Sequence, residues 1–130
     1  MIHDALILGA GPAGLSTALG LARQLYSVVV FDSQKYRNDP VDHMHNVLSW
    51  DHEAPSEFRA SARANLLSRY DTVSIRSIKV DSVVKTEDGY FEAMDCYGGK
   101  TVGRTVVLAL GVTDLLPDLP GFAELWGRSM

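Results

Sequence analysis

The sequence predicts an α/β fold in which a βαβ unit with a parallel sheet carries an inserted antiparallel three-stranded β-meander. Three observations predict it. Two short apolar runs, residues 5–8 and 27–33, flank a stretch in which small and apolar residues recur at helical spacing. Strand, helix and strand fit within about 28 residues, the compass of a right-handed crossover. From Val73 onward the period becomes two, and Asp88-Gly89 and Gly98-Gly99 supply hairpin dipeptides between the runs.

Taken in order, Ala5 to Leu8 is apolar and ends at a glycine, which suits a strand buried on both faces. Gly14, Ala18, Leu21, Ala22 and Leu25 then place a helix over residues 12–25, with a narrow face of small residues that must lie close to its neighbour. Residues 27–33, "SVVVFDS", make the second strand. Residues 33–55 are polar and irregular, too long for an ordinary connection, and read as a functional loop. A second helix over Ser56 to Tyr70 puts Phe58, Ala62, Leu66 and Tyr70 on one stripe, with Arg59 and Arg63 on a solvated face. Three strand-like runs follow, 73–86, 89–97 and 101–111, so the meander covers about 73–105. Val106 to Leu110 is continuously apolar and is expected to re-enter the parallel sheet, after which "DLLPDLPGF" is a proline-punctuated loop.

The totals exclude several classes of function. A chain of 130 residues accommodates one compact domain. Twelve basic and sixteen acidic side chains give a net charge of −4 with no basic block, which argues against nucleic acid. Cys96 is the single cysteine, so no internal disulfide forms and a cytoplasmic location is expected. Ala5 to Ala22 is uncharged for 18 residues, but Gly9, Gly11, Pro12, Gly14 and Gly20 interrupt it, and Asp4 stands where a signal peptide carries a base. Neither a membrane span nor a signal peptide is expected.

The chemistry lies in Gly9-x-Gly11-x-x-Gly14, which follows a predicted strand and opens a predicted helix. Gly9 permits a tight turn, Gly11 lets backbone approach a pyrophosphate, and Gly14 allows helix to pack on strand. An anion then meets the unpaired N–H groups of the helix N-terminus. Asp32 ends the second strand 18 residues after Gly14, where a carboxylate can accept hydrogen bonds from a ribose. The pattern points to an adenine dinucleotide on a Rossmann-like unit. It does not separate NAD from FAD, but a meander in place of a second crossover helix is the layout of two-dinucleotide flavoproteins, which favours FAD.

"ILGAGPAGLSTALGLARQL", "VVVFDSQKYRN", "HMHNVLSWDH" and "VVLALGVTDLLPDLPGF" together resemble the fungal thioredoxin-reductase-like flavoproteins. This is the group that contains the dithiol oxidases of gliotoxin-type metabolites, within the pyridine nucleotide-disulfide oxidoreductases. The resemblance runs over essentially the whole chain. It implies that Gly9, Ala10, Gly11, Pro12, Ala13 and Gly14 hold the FAD pyrophosphate region and Asp32 the adenosine ribose. Ser33, Gln34, Lys35, Tyr36 and Arg37 would line the adenine end, and His45 and Asn46 would approach the flavin. Ala109 and Gly111 would bring backbone to the cofactor, with Leu110 where the family usually has a threonine, and Asp32 where the wider family has a longer glutamate.

His43, His45 and His52, with Asp42 and Asp51, could be imagined as metal ligands, but the resemblance implies a flavin-facing loop and no metal, with solvent-exposed loop histidines as the alternative. Cys96, beside a turn and without a partner thiol, is expected to be an ordinary strand cysteine. Members of the resembled group continue into a Cys-x-x-Cys pair and an NADPH domain, then return to the FAD domain. None of these lies within the 130 residues. The expectation is therefore the N-terminal segment of an FAD-binding domain, from a fragment, an artefact of gene prediction or a decayed copy. It has no catalytic residue of its own and does not complete a redox cycle alone. Its relatives' chemistry implies a small-molecule dithiol or a thioredoxin-like protein as substrate, a homodimer as one possible state, and fungal secondary metabolism as the setting. The alternatives are a non-catalytic flavin-binding or assembly subunit, and a fragment of a flavin monooxygenase or NAD-dependent dehydrogenase.

Overall fold

β1 (Ile2–Leu8), α1 (Pro12–Ala22) and β2 (Val28–Phe31) make the crossover, and the two strands pair in parallel from Ala5 opposite Val28 to Leu8 opposite Phe31. The computed structural model describes residues 1–128. After β2 come α2 (Pro55–Arg69), β3 (Val73–Arg76), β4 (Val80–Lys85), β5 (Phe91–Asp95), β6 (Lys100–Leu108) and the single turn α3 (Phe122–Leu125). The strands form one six-stranded sheet in the order β3-β2-β1-β6-β5-β4. Among the described residues, no helix is long and apolar enough to cross a membrane.

The run from Val73 to Thr86 is not one strand. β3 completes the parallel side against β2, whereas β4 begins four residues later at the opposite edge of the sheet. A tight turn separates them, with the Ile78 N–H donating to the Arg76 carbonyl at 2.9 Å. The antiparallel meander is therefore β4-β5-β6, starting at Val80. β6 re-enters the parallel sheet as expected, but along most of its length. It pairs with β1 from Val102 to Leu108 and, through Lys100 to Gly103, with β5 on its other edge.

α1 also stops short of Leu25. That residue has φ 64° and is 78% exposed, because the chain leaves the helix through a turn to enter β2. The buried face is Gly14, Leu15, Ala18 and Ala22, and such small side chains let the helix axis approach the sheet.

Alternation along β1 and β2 divides the core. Ala5, Ile7, Val28 and Val30 face α1 and α2 with Leu15, Ala18, Leu66 and Val73. Leu6, Leu8, Val29 and Phe31 face the other way, with Ala93 and the half-buried Val83 and Val106 of the meander. Burial on both faces explains why "VVVF" carries no polar residue. Gly103 of β6 is required here, since a Cβ would stand 2.6 Å from Leu6 Cγ.

The entry to β2 is tied to β1 by Asp4. Its carboxylate accepts the Ser27 N–H at 2.8 Å and the Ser27 hydroxyl at 2.9 Å, and these bonds hold its pKa below the ordinary carboxyl value. A depressed folded pKa contributes stability that is complete above the unfolded value of about 3.9 and is lost as pH falls through the folded one. Thermal melts at decreasing pH are expected to show Asp4→Asn less stable than wild type near neutrality, the gap closing in acid. A gap that persists unchanged would remove Asp4 from the titration.

Candidate cofactor site

A cavity of about 820 Å³ opens beyond the carboxyl ends of β1, β2 and β6. β1 is the central strand, with its crossover partner β2 on one side and β6 on the other, so the cavity lies where the connections diverge. Leu8 to Ala13 form one wall, and Phe31, Asp32, Ser33 and Lys35 to Asn38 form the second. Ile78 to Val80 and Leu108 to Gly111 complete it.

The three motif glycines have different duties. Gly9 has φ 112°, and a Cβ there would lie 2.1 Å from the Ala109 carbonyl oxygen. A Cβ on Gly14 would lie 1.8 Å from the Gly9 carbonyl oxygen. Both are consumed by packing, which stacks α1 on the β1–α1 turn and that turn on the end of β6. Gly11 lines the cavity, and a Cβ on it would meet nothing within 4 Å. Gly11 is also the N-cap of α1, with no side-chain cap, Pro12 following it and no acid in the first turn. The first-turn N–H groups are thus left without a side-chain acceptor at the edge of the cavity, where the helix dipole favours an anion.

The opposite wall is organised by Asp32, which is 2% exposed. Oδ1 accepts the Gln34 N–H at 2.8 Å, while Oδ2 accepts the Tyr36 hydroxyl and Arg63 NH1. Burial, the hydrogen bond to Asp32 and that carboxylate's charge push the Tyr36 phenol up to about 12, so it stays protonated and donates. Arg59 lies 3.8 Å over the Tyr36 ring, with its guanidinium donating to Asn38 at 2.8 Å and Asp39 at 2.9 Å. The two arginines therefore do not belong to a solvated face. α2 docks on the loop after β2, and an apolar stripe alone could not show that its charged side meets acceptors there, the buried Asp32, the half-buried Asn38 and the exposed Asp39. Arg37 forms a two-pronged pair with Asp114 at 3.0 and 3.1 Å, joining the loop after β2 to the segment after β6. Each partner reinforces the other's charge, holding Asp114 below and Arg37 above their ordinary pKa values.

Most residues expected at a cofactor meet at this cavity: Gly9 to Ala13, Asp32, Ser33, Lys35, Tyr36, Arg37, Ala109 and Gly111. Gly14 and Gln34 do not line it: Gly14 is buried under the turn, and Gln34 is exposed, with its N–H bonded to Asp32. His45 and Asn46 are not among the lining residues. They gather around Asp51, whose Oδ1 lies 3.2 Å from His45 Nδ1 and accepts the Asn46 N–H at 3.1 Å, with the His52 ring 4.6 Å from that of His45. The Asn46 bond, followed by that of His45, lowers the Asp51 pKa. Sequence reasoning missed Arg59, Arg63 and Asp114. The first two lie four apart on a helix, a spacing that puts them on one face. Asp114 carried no signal, being 77 residues from Arg37.

A glycine turn that leads a central parallel strand into an uncapped helix, with a buried acid ending the next strand, defines a Rossmann-like dinucleotide-binding domain. The family model for pyridine nucleotide-disulphide oxidoreductases matches residues 3–130. The thioredoxin reductase aclD of Aspergillus oryzae is 47% identical over 130 residues, an alignment covering 99% of this chain and 41% of that one. The thioredoxin reductase tcpT of Claviceps purpurea is 49% identical over 130 residues, covering 99% and 40%. The crystal structure of an oxidoreductase from Agrobacterium tumefaciens superposes with a TM-score of 0.92 at 35% identity, covering 98% of this chain and 43% of that one. The chain belongs to the pyridine nucleotide-disulphide oxidoreductase family and is thioredoxin-reductase-like. It spans about two fifths of the length of these relatives.

Proposed function

We propose that these residues form the FAD-binding part of a flavoprotein that moves electrons between a dithiol or disulfide and the flavin. The observation that carries this is the open backbone cradle at Gly11, where the α1 N-terminus meets the cavity with neither Cβ nor side-chain cap in the way. The residues present fit the group. An 820 Å³ cleft is of ligand-pocket size, and it is walled by glycine backbone at one side and by Asp32, a hydrogen-bond acceptor, at the other. Gly11 and the first turn of α1 would hold the pyrophosphate, Asp32 the ribose, and Ser33, Lys35, Tyr36 and Arg37 the adenine end. Ala109 and Gly111 would border the cofactor with backbone, Gly111 being at φ 66°. The resemblance assigns His45 and Asn46 to the flavin side.

When bound, FAD accepts or returns an electron pair at the flavin ring. The protein's part is to anchor the other end of the molecule and to keep it in register with the sheet. The dithiol pair such a reaction needs is not among these 130 residues, whose one cysteine is Cys96. The proposed substrate is a small dithiol or a thioredoxin-like protein.

Gly11→Asp is the discriminating variant. Its backbone, at φ −73° and ψ −177°, accepts any L residue, and a Cβ there meets no atom within 4 Å. Stability is expected to stay within roughly 0.5 kcal/mol of wild type. A carboxylate in place of the anion cradle is expected to weaken FAD binding by about a hundredfold, read by titration of flavin fluorescence. Unchanged affinity would refute the placement of the pyrophosphate.

A further inference from the structure

We infer that Arg63, which stands outside the cavity wall, is a positioning residue that leaves Asp32 one free acceptor site, so that the adenosine ribose is held through a single hydroxyl. The inference rests on the FAD reading. A carboxylate offers about four acceptor sites. Oδ2 of Asp32 is fully used, by the Tyr36 hydroxyl and Arg63 NH1, and Oδ1 already takes the Gln34 N–H at 2.8 Å. One site remains, on Oδ1. A ribose presenting both its 2′ and 3′ hydroxyls can therefore satisfy only one of them here.

Arg63 is what makes that arrangement rigid. Its guanidinium is always charged, so it supplies a fixed countercharge to a carboxylate that water scarcely reaches. It comes from α2, on which Arg59 also turns inward, lying over the Tyr36 ring and only 8% exposed. The hydroxyl of Tyr36 is thus held on Oδ2 from one side and Arg63 from the other. Because Arg63 does not line the cavity, it acts on the ligand through Asp32.

The test uses the full chain free of flavin and titrates it calorimetrically with ADP, 2′-deoxy-ADP and 3′-deoxy-ADP. In wild type, one deoxy analogue is expected to bind about tenfold or more weakly than ADP, and the other to match it. In Arg63→Gln, ADP should weaken by about tenfold and the contrast between the analogues should collapse. Arg63→Lys, which restores the charge, should recover much of both. Combining Arg63→Gln with Asp32→Asn should weaken ADP no further than Asp32→Asn alone. Equal losses for both analogues in wild type would overturn the single-hydroxyl assignment, a result that needs no variant to fold. An Arg63→Gln chain that retains wild-type affinity and contrast would overturn the positioning role. Failure of wild type to bind either ADP or FAD would overturn the FAD reading itself. Binding of both with no response to either deoxy analogue would leave that reading intact and overturn this one.

Discussion

Gly14→Ala is expected to destabilise the fold by about 3 kcal/mol or more, lowering the melting temperature by roughly 10 °C. Helix propensity alone predicts the opposite sign, because alanine is favoured over glycine inside a helix by about 1 kcal/mol. Position decides. The new Cβ would lie 1.8 Å from the Gly9 carbonyl oxygen and 2.9 Å from its carbon, backbone atoms that cannot rotate away. Nor can the turn retreat, since Gly9 is packed against the Ala109 carbonyl on its other side. Gly20→Ala in the same helix is the control, with nothing within 4 Å of its Cβ, and should gain up to about 1 kcal/mol. Thermal denaturation followed by circular dichroism measures both. A Gly14→Ala chain melting at or above wild type would show that α1 does not rest on the glycine turn.

The second large effect belongs to the other face of the sheet. Leu6 is fully buried, and Leu6→Ala is expected to cost about 2–5 kcal/mol through lost burial and the cavity left behind. Gly103→Ala is expected to cost about 1–3 kcal/mol, because its Cβ would press on Leu6 Cγ at 2.6 Å and on both Leu6 methyls. The pair should not add. With Leu6 cut back to alanine the methyl of residue 103 enters vacated space, so the double variant should be at least about 1 kcal/mol more stable than the sum predicts. Denaturant titrations of the four chains close the cycle. Strict additivity would mean that β1 and β6 are not in the register that sets His3 opposite Gly103.

The elements that could be read in advance were those with a local cause. The glycine turn announces itself because φ 112° at Gly9 and the close stacking at Gly14 admit little else. β2 is legible because a strand buried on both faces must be apolar throughout. The break between β3 and β4 was hidden. Both halves are strand-like, and no glycine or proline marks Ser77 to Lys79, so nothing local separates one long strand from two short ones at opposite edges. Leu25 misled in the same way. It continues the helical spacing of α1, yet the turn into β2 places it in solvent.

For the site, local sequence accounts for the glycine turn, the uncapped start of α1 and the acid across the cavity from them, because each follows from backbone chemistry within one crossover. Gly11 leaves backbone bare at the cavity, α1 starts without a side-chain cap, and Asp32 directly follows the strand that returns beside β1. What Asp32 is free to do depends on contacts made across the fold. Arg63 and Tyr36 saturate one of its oxygens, and Arg37 reaches across to Asp114. These contacts join segments up to 77 residues apart, and such pairings depend on how α2 and the segment after β6 dock rather than on any local preference. A charged residue on an amphipathic helix looks solvated until the loop that buries it is in place.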